Sequence, residues 1–122
     1  MILRTFAFWG ALMMAGVAQA HAPGVGPNGG RQVDAGSVHM EMVVRGDALT
    51  IYLHDHSDKP VATAGGQGVA ILAIDGRTQR IPLAPAGGNA LKGTATAPLP
   101  PQPKGAVQVT LASGGTVQGR FN

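Results

Sequence analysis

Between Ser37 and His54 the chain alternates apolar and polar residues in two successive runs. Val38, Met40, Met42 and Val44 take every second place in the first, and Leu49, Ile51 and Leu53 do so in the second. A period of two is the mark of a strand with one buried face. Gly46-Asp47 between the runs reads as a hairpin turn. A two- or a four-residue loop there gives one register, pairing Val44 with Leu49, Met42 with Ile51 and Met40 with Leu53. The opposite face then pairs Val43 with Thr50, Glu41 with Tyr52 and His39 with His54. Met40 and Met42 fall with the apolar set and are expected to fill the core rather than to bind a soft metal.

The rest of the chain carries weaker signals of the same kind. Arg31–Ala35 reads as a short first strand, and Asp55–Pro60 as a polar turn that leads into Val61–Ala64. Gln67–Ile74 (QGVAILAI) is apolar without interruption and suits a buried strand. Asp75-Gly76 is a strong hairpin signal, and Thr78–Leu83 returns. Ala84–Gly93 reads as a loop, Thr94–Leu99 as a strand, and Pro98, Pro100, Pro101 and Pro103 as a stiff connection. Ala106–Leu111 and Thr116–Phe121 close the series around Gly114-Gly115. Seven or eight short strands with no helix among them predict an all-β fold, a single small antiparallel β-sandwich of Ig-like or cupredoxin-like topology. A small open barrel is the alternative.

The first twenty residues break this pattern. They carry one cation, Arg4, an apolar stretch from Thr5 to about Val17, and small residues at Ala18 and Ala20. These are the charged, apolar and cleavage regions of a secretory signal peptide. The apolar stretch falls short of the about 20 residues a membrane-spanning helix needs. The expected organisation is a signal peptide over 1–20, a flexible Gly/Pro-rich arm over 21–30 and a β-sandwich domain over 31–122, exported to the periplasm with no membrane span after cleavage.

Composition limits the chemistry. The 122 residues include no cysteine, so disulfides and thiolate ligands are both excluded. The net charge of +3 comes from cations scattered singly along the chain. Nucleic-acid binding, which needs them clustered, is not expected. Glu41 is the only glutamate, the serines have no nucleophile-elbow context, and the Gly-rich stretches do not lie between a strand and a helix. An enzyme and an organic cofactor are therefore not expected.

The four histidines, His21, His39, His54 and His56, all lie ahead of residue 60. Opposed side chains on antiparallel strands have Cβ atoms about 4.5–5.5 Å apart, close enough for two imidazoles to share an ion. His39 and His54 are such a pair, with Glu41 two residues along the same face and His56 one pleat beyond. Cleavage after Ala20 would make His21 the first residue, able to offer an amine and an imidazole together. Nitrogen and carboxylate donors suit a divalent transition metal, and copper or zinc is favoured.

Several segments together, GPNGGRQVDAG, VHMEMVV, YLHDHSDKPV and LAPAGGNALKG, resemble a group of small exported bacterial proteins. They also resemble the related modules near the N-terminus of periplasmic adaptor subunits of heavy-metal efflux systems of the resistance–nodulation–division type. The resemblance runs from about Gly26 to Gly93. It implies a periplasmic β-domain in metal efflux or metal handling, with envelope components of an efflux system as partners. In those modules His-containing segments precede GPNGG and continue into the strand, which corresponds here to His21 and His39. The expected function is a periplasmic accessory protein that binds a divalent metal through His39, His54, His56, Glu41 and His21. The alternative is a non-catalytic interaction module without a metal site, docking through an edge strand such as Thr116–Phe121.

Overall fold

The computed structural model of the protein describes residues 24–122. They form nine antiparallel strands: β1 (Gly24–Val25), β2 (Arg31–Ala35), β3 (Val38–Arg45), β4 (Ala48–Asp55), β5 (Gln67–Ile74), β6 (Arg77–Pro85), β7 (Ala90–Thr94), β8 (Lys104–Thr110) and β9 (Thr116–Phe121). Hydrogen bonding links them into one sheet in the order β1-β2-β3-β4-β7-β6-β5-β8-β9. The sheet curls back so that β9 packs against β2, giving a small sandwich. Strand β6 passes between the layers: its first seven residues pair with β5, and Ala84 and Pro85 pair with β7.

The β3–β4 hairpin has the expected register, with Val44 opposite Leu49, Met42 opposite Ile51, Met40 opposite Leu53 and His39 opposite His54. Its apolar face reaches the core, where Met40, Leu49, Ile51 and Leu53 are fully buried. They meet Leu72, Ile81, Val107, Val109 and Phe121 from the other layer. Fully burying a side chain of this kind contributes roughly 1.5–3 kcal/mol, so the period-two pattern specifies both the strands and the way they face. Asp75 and Gly76, both at positive φ, make the tight turn between β5 and β6.

The structure corrects three local expectations. The arm is paired rather than free at its end, since Gly24 and Val25 form β1 against Gln32 and Arg31. The strand expected over Thr94–Leu99 lies earlier, as β7, inside the segment read as a loop. Gly93 makes that strand fit: a Cβ there would stand 2.3 Å from the carbonyl oxygen of Pro82. Residues 95–99 instead lie against the β3–β4 turn, where Ala95 and Leu99 donate their N–H groups to Asp47 and Gly46 carbonyls. The apolar run of β5 is buried on one face only. Ala70 and Leu72 point inward while Ile71 and Ala73 are exposed.

One polar residue belongs to this frame. Glu41 is fully buried although its neighbours in register on the outer face are polar. The GPNGG turn folds over it. Oε2 accepts the backbone N–H groups of Asn28 at 2.9 Å and Gly30 at 2.7 Å, and Oε1 accepts Asn28 Nδ2 at 3.0 Å. Gly26 closes the turn by accepting the N–H of Gly29 and donating to the carbonyl of Gly30. A side chain at Gly26 would collide with the carboxylate, its Cβ only 2.3 Å from Glu41 Cδ. The motif is thus a carboxylate cap that ties β1 and β2 to β3.

Removing this carboxylate strands three donors. Glu41→Ala is expected to lower unfolding stability by about 2–5 kcal/mol in urea titration. Glu41→Gln should cost less, because one amide oxygen still accepts the two backbone donors and the Asn28 amide can turn to meet the new N–H. Equal stability of parent and Glu41→Ala would contradict the capping role.

Candidate metal site

The β2–β3 hairpin turns through Gly36 and Ser37, so Asp34 and His39 stand directly opposite each other on the outer face. Asp34 Oδ1 lies 2.8 Å from His39 Nδ1. The third member comes from the turn after β4. Asp55 Oδ1 accepts the N–H groups of Ser57 at 2.8 Å and Lys59 at 2.9 Å, and Asp58 adopts a positive φ of 62°. This Asx-type turn brings His56 back over the β2–β3 turn. His56 Nδ1 then lies 3.2 Å from His39 Nε2, and His56 Nε2 lies 3.0 Å from the Gly36 carbonyl oxygen. The two rings meet edge to face, with centroids 4.6 Å apart.

The outer contacts settle which nitrogens can bind. A carboxylate and a carbonyl only accept, so His39 Nδ1 and His56 Nε2 must be the N–H donors in these contacts. The lone pairs of neutral imidazoles are then left on His39 Nε2 and His56 Nδ1, the two atoms that face each other. A bare contact of two lone pairs at 3.2 Å is repulsive. A cation between them, a shared proton or a metal ion, makes it attractive. Two imidazole nitrogens each about 2.0–2.1 Å from a metal are separated by about 2.9–3.4 Å at angles from square to tetrahedral. The observed spacing falls inside that interval. Asp34 sits on the far nitrogen of His39, where carboxylates commonly orient a metal-bound imidazole and raise its basicity.

Asp34, His39 and His56 are the group of potential ligands that converge among the described residues, their candidate donor atoms all within 4.8 Å of one another. Of the expected ligands, His39 and His56 therefore come together. His54 opposes His39 in register but leans the other way, with Nε2 3.5 Å from Asn89 Nδ2 and a buried Nδ1 that has no hydrogen-bond partner. Glu41 is held by the GPNGG turn. His21 lies outside the described residues. Asp34 is the member the sequence reading missed, and its position opposite His39 across a two-residue turn is the signal that would have found it.

No protein-family model, curated protein or solved structure matches this chain. The site therefore rests on its own geometry.

Asp55 offers a check on the turn that carries His56. Hydrogen bonds from the N–H of Lys59 and then of Ser57 hold its carboxyl below the ordinary value of 3.8. A lowered folded value stabilises the turn above the ordinary carboxylate range, and this stabilisation is lost as pH falls through the folded value. NMR amide shifts of Ser57 and Lys59 should follow one titration with a midpoint below 3.8. A midpoint at or above that value would contradict the arrangement.

Proposed function

We propose that the protein is a non-catalytic periplasmic accessory protein that binds a divalent transition metal, copper or zinc, in metal efflux or tolerance. The observation that carries the reading is the meeting of His39 Nε2 and His56 Nδ1 at 3.2 Å, with Asp34 and the Gly36 carbonyl holding the outer ring nitrogens. His39 and His56 are the metal ligands in this reading, and Asp34 orients the first of them. The signal-like leader supports export, and the resemblance of GPNGG and PAGGN-x-L-K-G to efflux-adaptor modules supports the link to efflux. His21, heading the chain after removal of the leader, would offer its amine and imidazole to the remaining coordination positions.

A site of two imidazoles near the surface favours reversible binding over permanent storage. His56 is exposed and the His39 side chain is 22% exposed, so an incoming donor from a partner has access to the ion. Among first-row divalent ions, copper is held most tightly by such nitrogen donors.

Competitive titration of the chain beginning at His21 with Cu(II) and Zn(II) tests the proposal. His39→Ala and His56→Ala should each weaken binding by about tenfold or more, equivalent to about 1.4 kcal/mol. Asp34→Asn should weaken it by roughly tenfold through the lost orienting contact, and His54→Ala should leave it unchanged. Undiminished affinity in both His39→Ala and His56→Ala would overturn the assignment.

A further inference from the structure

The apolar run of β5 is satisfied on one side only. Its inward residues join the core, but Val69, Ile71 and Ala73 face away from it, and Ile71 is 43% exposed. The outer face of an antiparallel sheet is commonly polar and solvated, so a row of apolar residues there departs from the usual alternation. The register defines what surrounds the uncovered face. Ile71 lies opposite Arg80 of β6 and Ala106 of β8, and Ala106 lies opposite Arg120 of β9. One row across four strands therefore reads Arg80–Ile71–Ala106–Arg120. On its two sides run Pro82–Val69–Gln108–Gln118 and Thr78–Ala73–Lys104.

The charge of this face is one-sided. Arg80, Lys104 and Arg120 are exposed, and among the described residues no carboxylate side chain pairs with them. None of the residues in these three rows is acidic; the nearest acidic side chain along the chain, Asp75, belongs to the β5–β6 turn. Beside Val69, an open groove of about 340 Å³ runs between Arg80 and Gln108. Pairing with a second copy through this face would set arginine against arginine. Arg80 borders this groove while Lys104 and Arg120 lie outside it, so the cations stand at separate points of the face, a spacing that suits an extended chain with spaced carboxylates better than a flat lipid surface.

We propose that the outer face of β6-β5-β8-β9 docks an extended acidic segment of a partner protein, an apolar residue flanked two places on either side by carboxylates. Neighbouring strands are about 4.8 Å apart, so Arg80 and Arg120 stand about 14 Å from each other across three spacings. Residues i and i+4 of an extended chain are about 13 Å apart and face the same way. Carboxylates at those places reach the two arginines while the central side chain rests on Ile71 and Ala106. This face lies on the opposite side of the sandwich from the histidine cluster, so metal and partner can be held together. It does not depend on the metal reading.

The test is an NMR titration of the ¹⁵N-labelled exported chain with the blocked peptide Ser-Asp-Ser-Leu-Ser-Asp-Ser. Saturable shifts confined to Val69, Ile71, Ala106, Arg120 and their neighbours are expected. Replacing both peptide aspartates by asparagine, or Arg80→Glu with Arg120→Glu in the protein, should weaken binding by about fivefold or more. Both arginines are exposed, so the variant should keep the parent's dispersed spectrum; Ile71→Ser, neutral in charge, should also weaken binding. Absence of saturable shifts, affinity unchanged by the charge reversals, or binding to phosphatidylglycerol vesicles without binding to the peptide would overturn the proposal.

Discussion

Glu41 carries its charge into a place where the sheet has excluded water, and hydrogen-bond donors rather than a cation receive it. Two backbone N–H groups and the Asn28 amide, all from the GPNGG turn, converge on its two oxygens. A buried carboxylate is costly unless such donors surround it, and the donors are costly unless the carboxylate is present. The mutual requirement fixes the start of β2 against β3. That pairing in turn sets Asp34 opposite His39. The candidate site thus depends on a carboxylate that takes no part in it.

Much of this frame is legible in the residue pattern. Alternation in Val38–Val44 and Leu49–Leu53 specifies the central hairpin down to its register, because a slip of one residue would expose the whole apolar set. Glu41 is harder to read. It lies on the polar face by parity, and only the folding of GPNGG over it turns that polar position into a buried one. The same fold removes it from the histidines. The move of the expected strand from Thr94–Leu99 to Ala90–Thr94 has another cause, a close backbone approach at Gly93 that no periodicity reports.

The histidine cluster shows where pairing rules stop. Cross-strand register puts His39 and His54 side by side, as the pattern predicts, but register does not determine which way each ring leans. His54 leans toward Asn89, and His39 leans toward Asp34 across the other hairpin. His56 arrives through the turn organised by Asp55, a conformation written in side-chain-to-backbone hydrogen bonds rather than in hydrophobic spacing. What results is a pair of imidazoles whose remote nitrogens meet Asp34 and the Gly36 carbonyl and whose near nitrogens face each other at 3.2 Å. Such preorganisation lowers the cost of ordering two side chains when an ion binds.

Counting the imidazoles bound to the ion tests this account most directly. Pulsed electron paramagnetic resonance of the Cu(II)-loaded chain resolves the remote nitrogen of each coordinated ring. The account predicts that the count falls by one in His39→Ala, falls by one in His56→Ala, and stays at the parent value in His54→Ala. A count that survives loss of His39 and of His56, or that drops when His54 is removed, would contradict it.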